Sequence, residues 1–165
     1  MNKITIGIAA GVIAFAGIVW AMRPSPEGGI VTPSVSGSTG AISAEEKDFD
    51  FGTVSMAAGN VSHLFRIKNT GQESVVIEKM YTSCMCTSAT LEVGGKVFGP
   101  YGMPGHGFSP SIKEAIASGA EAVVNVVFDP AAHGPAGIGR IHRAIIIENN
   151  AGEPLKLGFT VLVTP

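Results

Sequence analysis

Charge is scarce in this chain: Asp, Glu, Lys and Arg make up 15% of its 165 residues and leave a net charge of −2. So thin a charge gives no basic stripe for a phosphate backbone, and nucleic acid is not an expected partner. Cysteine is scarcer still, with only Cys84 and Cys86. Two thiols two residues apart cannot build the multi-bridge framework of a small stapled fold, so the domain has to stand on a hydrophobic core. Catalytic signatures are missing as well. No Gly-x-Ser-x-Gly elbow presents a nucleophile, and Gly94-Gly95-Lys96-Val97 lacks the spacing and hydroxyl residue of a phosphate-binding loop. No recognisable motif places a carboxylate pair. A conventional enzyme is therefore not expected.

What is present begins with an apolar run. From Ile4 to Met22 the chain carries no charge, and nineteen helical residues rise about 28 Å, close to the hydrocarbon thickness of a bilayer. Residues 1–22 are expected to form one N-terminal transmembrane helix, with Lys3 before it, Arg23 after it and Trp20 near its outer end. That bias favours N-in, C-out. Alternatively, Ala14-Phe15-Ala16 offers small residues at signal-peptidase spacing, and the segment is a cleaved signal. Both readings export the domain. Gly7 and Gly11 form a G-x-x-x-G that suits helix pairing or is lipid-facing filler. Residues 23–47 are dense in Pro, Gly, Ser and Thr and read as a flexible linker.

From residue 48 to 165 the texture changes to short β-branched and aromatic runs between turn residues, the pattern of an all-β sandwich. Seven strands are expected: Phe49 to Ser55, Asn60 to Lys68, Ser74 to Thr82, Ser83 to Val93, Ala120 to Phe128, Gly139 to Glu148, and the alternation from Leu155 to Val163. Gly94 to Gly119 breaks the pattern as an inserted loop. Its second half predicts a short helix, with Ser111 and Glu114 as a capping box, Ile112, Ala115 and Ile116 on one face, and Gly119 as the stop.

Four strings in this order carry a family resemblance: Phe49-Asp50-Phe51-Gly52-Thr53-Val54, Phe65-Arg66-Ile67-Lys68-Asn69-Thr70-Gly71, Ser83-Cys84-Met85-Cys86-Thr87 and Val127-Phe128-Asp129-Pro130. Together they resemble the bacterial domain-of-unknown-function family 1573, similar to ASH and MSP immunoglobulin-like domains. The resemblance implies an exported immunoglobulin-like β-sandwich with no established activity. Two departures stand out: Met85 occupies a position usually held by Gly, and Gly94 to Gly119 replaces a short Pro-Gly turn. The expected location is the bacterial cell envelope, anchored in the inner membrane with the domain outside the cytoplasm, or secreted if the first segment is cleaved.

Chemistry can only gather at the cysteines. In an extended run, residues two apart share a face, and neighbouring thiolates suit a soft metal. A disulfide is less natural there, because such Cα atoms lie roughly 6.5 to 7 Å apart. Two buried small hydrophobes are the plain alternative. Met103 and His106 in the inserted loop would complete a copper-like ligand set, giving Cys84, Cys86, Met103 and His106 as the metal site and copper as its cofactor. Met80 and Met85 read equally well as core filler. His63 reads as a surface imidazole, His133 as an exposed turn residue, and His142 joins the set only if the fold brings it near. The leading expectation is a tethered binding or scaffolding domain for an envelope protein partner. Metal binding is the alternative, and thiol-disulfide exchange ranks third because no cationic neighbour is evident beside Cys84.

Overall fold

In a computed structural model describing residues 41–106 and 111–165, each of the expected period-two runs contains a strand. The strands are β1 (Ile42–Ala44), β2 (Asp48–Ser55), β3 (Val61–Asn69), β4 (Val75–Thr82), β5 (Thr87–Val93), β6 (Lys96–Tyr101), β7 (Glu114–Ile116), β8 (Glu121–Phe128), β9 (Gly139–Asn149) and β10 (Leu155–Thr164). They form two five-stranded sheets, ordered β1-β3-β8-β5-β6 and β2-β10-β9-β4-β7. Neighbours run antiparallel except β2 and β10, which are parallel. Among the described residues the only helical turns are two short 3-10 segments, Met56–Ala58 and Gly134–Gly137.

Alternation places the core. Phe65, Ile67, Leu91, Val124 and Phe128 from the first sheet are buried with Ile77, Met80, Ile145, Ile147, Leu157 and Phe159 from the second. Each such side chain contributes about 1.5–3 kcal/mol on burial. Phe128 and Phe159 meet across the sandwich with ring centroids 5.4 Å apart, and Phe51 adds an edge contact to Phe159 at 5.2 Å. The expected turn at Asn69-Thr70-Gly71 is there for a specific reason. The buried Asn69 amide donates to Glu73 O (2.7 Å) and Ile116 O (2.9 Å), while its Oδ1 accepts from the Gly71 amide at 3.0 Å.

Three strands arise where none was expected. Gly94 and Gly95, both at positive φ, make a two-residue turn that folds β6 back on β5, with Val93 opposite Lys96. The expected helix does not form: Glu114, Ala115 and Ile116 pair with Ile77, Val76 and Val75 as β7. The exposed backbone edge of β4 needs partners. One helical turn in isolation is too short to compete with that pairing. Lys113 sits at φ 55, off any helical path, and the Ile112 amide donates to Glu78 O at 2.8 Å. Finally, β1 lies within the expected linker and pairs with β3. The expected anchor and residues 23–40 of the linker lie outside the described residues, among which no helix is long and apolar enough to cross a membrane.

Candidate functional site

Strand β4 ends at Thr82 in one sheet and β5 begins at Thr87 in the other, so Ser83–Cys86 must carry the chain across the end of the sandwich. This corrects the expected cysteine strand: the crossing is a turn, closed by the Thr87 amide donating to Cys84 O at 3.2 Å. The buried Thr82 hydroxyl lies 2.9 Å from Cys84 O and 3.0 Å from Thr87 O, pinning both ends of the turn. Ser83 ties it to β9, its amide donating to Ala144 O and its Oγ accepting from the Ala144 amide, both at 2.9 Å. Turning draws the two Cα atoms to 5.3 Å, and Cys84 and Cys86 are joined by a disulfide. The extended geometry behind the sequence expectation does not apply, and 5.3 Å lies within the ordinary range for a bridge.

Both sulfurs have polar company. After β8, the Asp129 amide donates to Cys86 O (2.9 Å), and Asp129 Oδ1 accepts from the Ala131 amide (2.8 Å). That turn delivers His133, whose Nε2 lies 3.1 Å from Cys84 Sγ. A Cβ at Gly137 would stand 3.2 Å from the Cβ of His133, so a larger residue would crowd the imidazole's support. From β9, Arg143 Nε donates to Cys86 Sγ at 3.3 Å, and its Nη1 donates to His142 O at 2.8 Å. Cys84 is 7% exposed and Cys86 2%, whereas Met85 between them is 55% exposed. A shallow 90 Å³ pocket opens at Met85, Cys86, Thr87 and Asp129, and a larger groove of 360 Å³ runs past Arg143, His142, Lys47 and Lys156. When the bridge opens, one sulfur faces an imidazole and the other the permanent charge of a guanidinium, and a cation beside a sulfur favours its thiolate.

The structure thus supplies a cationic neighbour, Arg143 at Cys86, and an imidazole at Cys84, where the sequence showed neither. His133 and Arg143 lie 49 and 57 residues from their sulfurs, and nothing in the local sequence announces either. Met103 and His106 stand in the turn after β6, where the His106 amide donates to Met103 O at 3.2 Å. The sulfur–imidazole cluster, with donor atoms all within 4.8 Å, contains Cys84, Cys86 and His133, and His106 is not part of it. Met80 is core, fully buried. His63 stacks on Phe49 at 3.6 Å and meets Glu46 at 3.0 Å, and His142 is exposed beside the groove.

Two facing five-stranded sheets of this order make this an immunoglobulin-like β-sandwich. Residues 42–94 match the family described as protein of unknown function (DUF1573), which bears out the resemblance read from the motifs. None of the curated proteins is similar to the chain in sequence. Among solved structures, a protein of unknown function from Porphyromonas gingivalis W83 superposes with TM-score 0.57 at 13% identity, over 80% of this chain and 51% of its own. The chain thus spans about half the length of that protein. A family 123 glycoside hydrolase from Clostridium perfringens is similar with TM-score 0.50, 8% identity and coverage of 76% and 27%. The ASH/PapD-like domain of human CEP192 is similar at TM-score 0.43 and 16% identity, over 78% of this chain and 87% of that one. At their identities the likeness to the first two is one of fold alone.

Proposed function

We propose that the chain is an extracytoplasmic binding domain, tethered through its N-terminal segment, whose Cys84–Cys86 disulfide exchanges with a dithiol partner in the cell envelope. The observation that carries this reading is the placement of His133 at Cys84 Sγ and Arg143 at Cys86 Sγ. A bridge between its two cysteines also suits an oxidising compartment, which supports the location outside the cytoplasm.

Cys84 is the less deeply buried residue of the pair, and Arg143 stands at Cys86, so the partner's thiolate attacks Cys84, the Cys84–Cys86 bond breaks, and Cys86 leaves as a thiolate against the Arg143 guanidinium. The partner's second thiolate then attacks the partner's own sulfur in the mixed disulfide. That step forms the partner's disulfide and releases the Cys84 thiolate beside His133. Two electrons pass from the partner's dithiol to the pair, and the partner's two thiol protons go to the new thiols or to solvent.

The test is capture in the envelope. A full-length Cys86→Ser chain should hold a partner through Cys84 as an adduct that a reductant dissolves, and the double Cys84→Ser/Cys86→Ser chain should hold none. Absence of any adduct at either single cysteine would remove the exchange and leave a binding domain with a structural bridge.

A further inference from the structure

We infer that the opened pair, together with His133, forms a three-coordinate site for a soft monovalent cation, Cu(I). The inference rests on the disulfide being reducible by a dithiol, as in the exchange above, and not on any particular protein partner.

The donor atoms of Cys84, Cys86 and His133 already lie within 4.8 Å of one another. Thiolate–metal bonds of about 2.3 Å put two ligands about 4 Å apart at a trigonal angle, so the two sulfurs, bonded to each other in the closed pair, have to part on reduction while staying within the span of the cluster. The turn that carries the sulfurs does not depend on their bond: Thr82 holds both of its ends and Ser83 fastens it to β9. Loss of the bridge therefore leaves two thiols side by side.

Charge and coordination number select the ion. Two thiolates and Cu(I) sum to −1, and Arg143 beside Cys86 brings that to neutral at a largely buried position. Zn(II) would leave a net +1 with Arg143 and would require a fourth ligand. Thiolate and imidazole donors suit Cu(I) in softness. The site differs from the one read from the sequence, because His133 takes the place given to Met103 and His106.

The experiment uses the full chain, reduced anaerobically with a dithiol, freed of reductant and assayed for two free thiols. It is then titrated with Cu(I) against a chromophoric Cu(I) chelator. One equivalent should transfer to the protein, with an X-ray absorption shell of two sulfurs and one nitrogen. Cys84→Ser/Cys86→Ser should abolish binding. His133→Ala, at an exposed residue, should weaken it at least about tenfold, whereas Met103→Leu and His106→Ala should leave it unchanged. Three outcomes overturn the site: copper staying with the chelator although both thiols are free, full affinity in His133→Ala, or loss confined to the Met103 and His106 variants. Thiols that never open under a dithiol overturn the exchange as well, so the two failures are told apart by the thiol assay.

Discussion

Arg143 and Cys86 are 57 residues apart in sequence, and Arg143 Nε donates to Cys86 Sγ at 3.3 Å. The contact puts a permanent cation on the sulfur that has to leave when the bridge opens. Hydrogen bonds to charged groups contribute about 1.5–3 kcal/mol, and the half-buried guanidinium retains part of that. Arg143→Met should slow reduction of the folded chain by a dithiol about tenfold, read by timed alkylation, with Arg143→Lys in between. Equal rates in all three chains would mean that Arg143 only supports the turn.

Asn69 is fully buried and joins the β3–β4 turn to β7 through Glu73 O and Ile116 O. Asn69→Ala leaves those carbonyls and the Gly71 amide without this partner, so the chain should lose about 2–4 kcal/mol in urea unfolding. Asn69→Asp should be at least as damaging, because a charge replaces a neutral donor in a dry position. A loss below that of an exposed control such as Lys156→Ala would show that water repairs the turn.

Lys113 gives a test whose sign distinguishes the observed strand from the expected helix. At φ 55 a side chain pays the left-handed penalty, which Gly does not. Lys113→Gly should leave stability unchanged or raise it by up to about 1 kcal/mol, whereas Lys113→Val should lower it by about 1–2 kcal/mol. In the first turn of the expected helix the Gly variant would lose up to about 1 kcal/mol instead. Thermal unfolding of the three chains separates the cases.

Burial raises the pKa of Tyr101 above its ordinary value of 10.0, and burial, followed by the charge of Glu148 and a hydrogen bond to it, does the same for Tyr81. The folded state therefore holds these protons at a pH where the unfolded chain releases them. Their contribution is intact below pH 10.0 and falls as pH rises through the higher folded values. Tyr101→Phe should flatten the decline of urea stability on the alkaline side. An identical slope in that variant would assign the decline to other groups.

Long period-two segments were legible because a sheet with one buried face writes its register into every second residue. Val124, Val126 and Phe128 in β8, like Leu157, Phe159 and Val161 in β10, are buried as their alternation requires. The three added strands are short, and β1 and β7 exist through pairing with a longer neighbour. Ile112 and Ile116 are both buried, so their spacing did report burial, but it did not say by which backbone route. At the site, the sequence exposed the cysteines without their bonding state, since that depends on a turn which Thr82 closes from outside the motif. His133 and Arg143 reach the sulfurs from the β8–β9 connection and from β9, an arrangement that only the folded topology brings about.

The parallel pairing of β2 with β10 also has a mechanical side. Its register runs from Asp48 opposite Gly158 to Ser55 opposite Thr164, with a shift between Thr160 and Leu162. Tension drawn between the start of β2 and the end of β10 pulls these strands past each other lengthwise, so their hydrogen bonds are loaded together rather than one after another. Among the described residues, only the three-residue β1 stands ahead of that ladder. Stretched from both ends in a single-molecule instrument, the domain should rupture in one high-force event, and stepwise opening at low force would contradict this. A domain held in this way can transmit a pull along its chain while the disulfide turn, carried by β4 and β5, stays outside the line of load.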